Sequence, residues 1–218
     1  MGLRPFVIPM HLVRVMSTGK GFFAEVDDVT LARARRGDID ALEGLYRVFS
    51  LPVHTIATRI CRSRDEAEEV LQETFLEVSR SIGTFRGEGA FGAWVRRIAV
   101  SKALTSMRRR RRETAAGFSN GDVDNLAKGP ACDGTGGWKR IDLERALARL
   151  PDAARAVVWL HDVEGFTHAE IAGFFGRSES FSKSQLSRAH EKLRLWLGLA
   201  GGTSYASDNG RTAGIARR

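Results

Sequence analysis

Three groups of residues in this chain have types and spacings that could do chemistry. The stretch RRIAVSKALTSMRRRRR, residues 96–112, carries Arg96, Arg97, Lys102 and an unbroken arginine run over residues 108–112, without one acid. Like charges at that density repel, so the segment is more stable beside an anion than alone in water. It reads either as a solvated helix end or as a surface that neutralises phosphates. Directly before it stands FRGEGAFGAW, residues 85–94. Its glycines allow backbone to come close to a ligand, and its rings could stack on unpaired bases, a contact worth ~1–3 kcal/mol per base. Phe91 fits a core position, whereas Phe85 and Trp94 are the stacking candidates. The third group is acidic: Glu66, Glu69, Glu73 and Glu77 recur at spacings of three and four, which aligns them along one helix face. In an otherwise basic chain, that stripe predicts a docking surface for a basic partner.

Other constellations lead nowhere. His161, Asp162, Glu164 and His168 lie close in sequence, but they lack the HExxH spacing, and Gly165 is expected to turn the two histidines apart. No GxSxG elbow or GxxxxGK[ST] loop occurs, and FRGEGAFG does not follow a strand. The sequence therefore predicts no catalytic centre, no metal site and no cofactor, and hence no enzyme.

The elements that must position these groups are helical. Residues 40–62 carry Leu42, Leu45, Tyr46, Phe49, Val53, Ile56 and Ile60 at helical spacing, with Pro52 as a kink or junction. SRDE, residues 63–66, is a capping-box pattern that starts the acidic helix, whose inner stripe is Ala67, Val70, Leu71, Thr74, Phe75 and Val78. A third helix begins near Ala90 and turns Phe91, Trp94, Val95 and Ile98 inward before it reaches the arginines. In the second half, residues 143–150 form a short helix stopped by Pro151, and residues 152–162 form another. THAE, residues 167–170, is a further capping box, followed by a short helix, a turn at Gly176 and a helix over residues 180–197. That helix points Leu186, Ala189, Leu193, Trp196 and Leu197 inward and leaves Lys183, Ser184, Gln185, Ser187 and Arg188 outward. Short helix, glycine turn and polar-faced helix make a helix-turn-helix, whose second helix reads the major groove.

The fold class is thus all-α, with two helical domains joined by a flexible linker and a helix-turn-helix in the second. The expected divisions are a flexible N-terminal extension over 1–28, a helical domain over 29–113, a linker over 114–138, a helix-turn-helix domain over 139–198 and a disordered tail over 199–218. The linker and tail are rich in small and polar residues and lack an apolar stripe. A chain of 218 residues with net charge +8 is long enough for one or two domains and favours a polyanionic partner, either nucleic acid or an anionic membrane surface. No apolar run is long enough to span a bilayer, so membrane insertion is not expected. The opening MGLRPFVIPMHLVRVM is broken by Pro5, Pro9, His11 and Arg14 and reads as neither a signal peptide nor an anchor, with Met16 as an alternative start. Cys61 and Cys132 form no CxxC pair, which fits a reducing, cytoplasmic location.

In order along the chain, RDEAEEVLQETF, WVRRIA, LARLPDAARAVVWLHDVEGFTHAEIAGFFG and SKSQLSRAHEKLR resemble the extracytoplasmic-function class of bacterial RNA polymerase sigma factors. The resemblance implies regions 2 and 4 of that family, which bind core RNA polymerase and read the minus-10 and minus-35 elements of promoter DNA. By position, Asp65, Glu69, Gln72 and Glu73 fall on the polymerase-docking helix. Phe85, Arg86 and Trp94 fall in the loop that captures an unstacked base. Arg96, Arg97, Ser101, Lys102, Thr105, Arg108 and Arg109 fall along the minus-10 DNA. Lys183, Ser184, Gln185, Ser187 and Arg188 fall on the minus-35 recognition helix. Ser101 and Thr105 stand where the family often has Asn and Asp, and Ser180, Phe181 and Ser182 replace a frequent Gly-Thr-Val. Members of the class are commonly held inactive by an anti-sigma factor. The other function class consistent with the residues is a stand-alone helix-turn-helix regulator of duplex DNA, with the first half serving dimerisation.

Overall fold

The computed structural model of the chain describes residues 21–116 and 140–197, and among them every regular element is helical. The first domain holds α1 (Asp28–Arg35), α2 (Ile39–Ile60), α3 (Arg64–Ser81) and α4 (Phe91–Ala115). The second holds α5 (Arg140–Ala148), α6 (Asp152–Val158), α7 (His168–Phe175) and α8 (Glu179–Trp196). A π-helical turn over Trp159–Val163 extends α6.

Side-chain caps fix where these helices start. Asp27 accepts from the Thr30 amide, Asp38 from Ala41 and Ser63 from Glu66, each satisfying an amide that the first helical turn leaves without a carbonyl. Thr167 and Glu170 complete a reciprocal capping box at α7. Helix α2 runs on through Pro52, which is buried, so that residue marks neither a break nor a junction in the element.

The core of the first domain is built where α2, α3 and α4 face one another. Phe49, Val53, Ile56 and Ile60 of α2 meet Val70 and Val78 of α3 and Val95, Ala99, Leu104 and Met107 of α4, all buried. Thr74, fully buried in this stripe, satisfies its hydroxyl on the Val70 carbonyl at 2.6 Å. Cys61 is buried here as well, and burial, with the nearby Glu66, pushes its thiol up to about 11.

The expected N-terminal extension over 1–28 is corrected at its end. A 3-10 turn at Gly21–Phe23 packs on α2 and α4 with Phe22 buried. The close approach needs Gly92, because a Cβ there would lie 2.0 Å from the Phe22 carbonyl oxygen. At the other end of the domain, α4 continues to Ala115, past the expected boundary at 113. The rest of the linker, with Cys132, and the tail lie outside the described residues.

In the second domain Leu143, Leu147, Leu150, Val157, Leu160, Phe166, Ile171, Leu186, Ala189 and Leu193 form a continuous buried set. Gly176 closes α7 in the left-handed conformation (φ 61°, ψ 39°), which glycine adopts without strain and which turns the chain into α8.

Candidate nucleic-acid interface

Helix α8 presents Lys183, Ser184, Ser187 and Arg188 to solvent, while Leu186, Ala189 and Leu193 on its other side are buried. Gln185 is half-buried at the edge. The first turn of α8 is set by two packing contacts: Phe181 meets Phe175 of α7 with ring centroids 5.4 Å apart, and the fully buried Ser182 hydroxyl bonds His168 Nδ1 at 2.9 Å. These two contacts involve Phe181 and Ser182, two of the three positions at which the sequence departs from the usual Gly-Thr-Val.

The histidines expected to diverge at Gly165 instead meet. His161 and His168 stack with centroids 4.5 Å apart, because the π-helical turn swings His161 back over the start of α7. Asp162 bridges the pair of helices, bonded to His161 Nδ1 at 2.8 Å and to His190 Nε2 of α8 at 2.6 Å. Burial, followed by the charge of His161, holds His168 below the ordinary histidine range. This cluster knits the helix-turn-helix together, and among the described residues no group of three or more His, Cys, Asp and Glu side chains has the arrangement to hold a metal ion.

In the first domain the acidic stripe runs along α4, with Glu66, Glu73 and Glu77 half-buried and Glu69 exposed. Glu66 pairs with Arg110 at 2.7 Å, Glu69 with Arg109, and Glu77 with Lys102 at 3.2 Å, while Glu73 adds to the field that favours the Arg109 charge. The stripe is thus largely a ladder that neutralises the basic helix beside it. Asp65 and Gln72, on the flank of α3, remain exposed.

That ladder sorts the arginine run. Arg109 is engaged by Glu69, and Arg110 is only 19% exposed between Glu66 and Asp152 of the second domain, 2.7 Å from each. Arg108, Arg111 and Arg112 are exposed without a carboxylate partner among the described residues, Arg108 being bonded to the Thr105 hydroxyl at 3.1 Å. Ser101 and Thr105 lie on the same exposed side, with the Thr105 hydroxyl on the Ser101 carbonyl.

The aromatic loop divides differently from expectation. Arg86 and the following residues up to Ala90 are exposed, but Phe85 is buried, 7% exposed, with its ring 5.2 Å from Phe91 and 5.7 Å from Trp94. Its carbonyl is held by Arg35 at 2.7 Å. Phe85 therefore offers no open stacking face in this structure. Trp94 is half-buried and also packs on Phe91, at 5.4 Å.

Arg96 and Arg97 turn toward the second domain. Arg96 donates to the Glu164 carbonyl at 2.8 Å and lies over the Phe166 ring at 4.3 Å; Arg97 pairs with Glu170 at 3.1 Å and lies over Phe174 at 5.8 Å. Sequence reasoning missed the centre of this contact, Asp152. It accepts from Arg62 and Arg110, each at 2.7 Å, with Arg155 at 3.5 Å. Burial works against its charge, yet these guanidinium groups outweigh that and hold the carboxyl below the usual range. The available signal was Arg155, a charge in the middle of the apolar AARAVV run that needs a buried acceptor and finds the Ile60 carbonyl at 2.9 Å.

Comparison with known proteins follows the same division. Residues 45–113 match the family model for sigma-70 region 2, and residues 140–193 match that for sigma-70 region 4. The chain is 32% identical over 183 residues to the ECF RNA polymerase sigma factor SigM of Mycobacterium tuberculosis, covering 84% of this chain and 90% of that one. It is 33% identical over 168 residues to the RNA polymerase sigma factor CarQ of Myxococcus xanthus, covering 77% and 95%. The fold is similar to that of the sigma factor RpoE of Bartonella quintana, solved in complex with the anti-sigma factor NepR, with a TM-score of 0.52 and 23% identity over 72% of this chain and 97% of that one. A stand-alone helix-turn-helix regulator is not favoured, because the first half matches region 2. Both regions, in this order and on this helical framework, place the chain in the extracytoplasmic-function class of RNA polymerase sigma factors, which bind core RNA polymerase and direct it to promoter DNA for transcription initiation.

Proposed function

We propose that the two domains divide promoter recognition as follows. The exposed N-terminal half of α8, with Lys183, Ser184, Gln185, Ser187 and Arg188, enters the major groove of the minus-35 element, where an Arg or Gln in bidentate contact with a base gives ~1–3 kcal/mol of discrimination. Along α4, Arg96, Arg97, Ser101, Lys102, Thr105, Arg108 and Arg109 follow the minus-10 DNA, most of them by contacting phosphates, while Arg86 and Trp94 meet the strand as it opens. Phe85 supports Trp94 from below in this reading. Asp65 and Gln72, flanked by Glu69 and Glu73, make the polymerase-docking edge of α3. The protein acts in the cytoplasm, where its polymerase works, performs no catalysis of its own, and is subject to an anti-sigma partner.

The observation that carries this reading is the α7–Gly176–α8 unit with its outward polar face, in one chain with a basic helix backed by acids. The deciding experiment is capture of core polymerase by the full chain, wild type against Asp65→Lys/Gln72→Lys, followed by run-off transcription. Both side chains are exposed, so circular dichroism and melting should be unchanged while core binding drops at least tenfold. Unaltered binding by a folded double variant would remove α3 from the polymerase interface.

A further inference from the structure

The helix-turn-helix holds a polar contact between its two helices that no DNA contact uses. Ser182, in the first turn of α8, is fully buried, so its hydroxyl cannot bond water and has to find a partner inside the protein. That partner is His168 Nδ1, at 2.9 Å, on the first residue of α7. A valine, the frequent residue at the position of Ser182, has no hydroxyl to offer. Next in sequence stand Lys183 and Ser184, both exposed on the face assigned above to the minus-35 element. The bond thus fixes the start of α8 one residue away from the side chains that meet bases.

A second observation concerns what surrounds this ring. His161 of the π-helical turn stacks on it with centroids 4.5 Å apart. Glu179 and Lys183 of α8 act on its charge from the other side, paired with each other at 3.1 Å. Asp162 is bonded to His161 and to His190, and on the α4 side Arg97 is taken by Glu170 of α7. Among the described residues, no carboxylate pairs with His168 itself. A neutral imidazole keeps the bond to Ser182 in either tautomer, with the hydroxyl donating to a bare Nδ1 or accepting from Nδ1–H. An imidazolium permits only the second arrangement, and it sets a positive charge against the stacked His161 ring and beside Lys183.

We propose that His168 is a positioning residue for minus-35 recognition, which in its neutral form seats the first turn of α8 through Ser182 and so holds Lys183 and Ser184 where they read bases. The idea rests on the assignment of α8 to the major groove made above. Burial, followed by the charge of His161, holds this histidine below its ordinary value of 6.5. The seat is therefore complete above that value and is lost as pH falls below it through the folded-state value.

The test compares four full-length chains assembled with core polymerase: wild type, His168→Asn, His168→Ala and Ser182→Ala. Asparagine places a hydrogen-bonding group where Nδ1 stands and does not titrate. The readout is the ratio of holoenzyme affinities for two fluorescein-labelled promoter duplexes, one with a minus-35 element selected from randomised duplexes and one with that element scrambled, which cancels the pH response of contacts outside the element. At pH 7.5 the two Ala variants are expected to show a ratio about fivefold below wild type, the equivalent of one hydrogen bond, because binding then has to order the turn that the bond had fixed. The wild-type ratio should fall toward theirs as pH is lowered to 5.5, while His168→Asn keeps the high ratio throughout. In nuclear magnetic resonance of the free chain, the Ser182 and Lys183 amides should titrate with the midpoint of the His168 ring. A pH-independent ratio in wild type, a ratio in His168→Asn that falls as far as that of wild type, or a wild-type ratio and pH profile in Ser182→Ala would each overturn the proposal. Should circular dichroism show an Ala variant unfolded, the comparison of wild type with His168→Asn decides alone. If selection returns no minus-35 preference, the major-groove assignment fails and the positioning with it; if a preference is found that ignores pH, only the positioning fails.

Discussion

Adjacent arginines of α4 should behave oppositely in a salt titration. Arg108 and Arg111 are exposed and unneutralised, so in the holoenzyme each can displace counterions from promoter phosphates. Arg110 is locked between Glu66 and Asp152; opening the domains frees it from Asp152 but leaves Glu66, which belongs to its own domain. Each phosphate contact contributes ~0.9 to the slope of log K against log salt, so Arg108→Ala/Arg111→Ala should flatten that slope by about 1.8. Between 50 and 200 mM salt, wild type would then lose about twelvefold more affinity than the double variant. Arg110→Ala should keep the wild-type slope and instead lower the melting temperature. Removing one member of a buried pair costs ~3–5 kcal/mol, and the 16–19% exposure of these side chains reduces the expected loss to about 2 kcal/mol. The assay is anisotropy of a labelled promoter duplex with holoenzyme, sigma in excess over core, at several salt concentrations, beside thermal melting of the free chain. A slope flattened as much by Arg110→Ala as by Arg108→Ala/Arg111→Ala, or unchanged in the latter, would refute the division of the run into exposed and enclosed arginines.

Further expectations concern the core and the contact between the domains. Phe85→Ala should cost about 3–5 kcal/mol of stability in urea unfolding, because the ring is buried against Phe91 and Trp94; a loss below 1 kcal/mol would return Phe85 to the surface. With Cys132→Ala in the background, the Cys61 thiol, pushed up to about 11, should react with a disulfide reagent at pH 8 only as fast as the domain unfolds, and rapid labelling of the native protein would contradict its burial. Asp152 has its folded-state pKa lowered below the unfolded value near 3.8, so its contribution to stability is present above that pH and disappears as pH falls through the folded value. The difference in melting temperature between wild type and Asp152→Asn should therefore be full at pH 5 and should narrow progressively as pH is lowered below 3.8, whereas a difference constant over the whole acid range would deny the charged pairing.

Most of the helical framework was legible in the sequence because its signals are local. Ser63 and Thr167 announce helix starts, Gly176 announces a left-handed turn, and the stripes from Leu45 to Ile60 and from Leu186 to Leu193 repeat with the helical period. The exposed face of α8 followed directly from that period. What was not legible depends on residues distant in the chain. Phe85 looks like a platform when read with its glycines, and its burial is decided by Phe91 and Trp94 folding back over it. The acidic stripe looks like a docking face when α3 is read alone, since nothing in its spacing reveals that α4 lies against it. The departures at Phe181 and Ser182 likewise gain their explanation from Phe175 and His168 on the neighbouring helix.

The arginine run shows why charge counting along a chain overstates what a surface presents. Neighbouring side chains of one helical turn differ in availability: Arg110 is enclosed between Glu66 and Asp152, Arg109 is exposed but paired with Glu69, and Arg108, Arg111 and Arg112 are exposed without a carboxylate partner among the described residues. The acids of α3 serve this partition by neutralising the inward cations, which allows a helix of such high positive charge to pack without a free guanidinium beside the core. The same compensation fixes the azimuth of α4. With Glu66, Glu69 and Glu77 spaced along α3 and taking Arg110, Arg109 and Lys102 in antiparallel order, α4 cannot rotate about its axis without breaking the pairs together. Rotational register is what directs Arg96 and Arg97 to the contact with the second domain and leaves Arg108 and Arg111 on the open side. An acidic stripe that looks like an interface for another protein thus has a prior task, to aim the cations of α4.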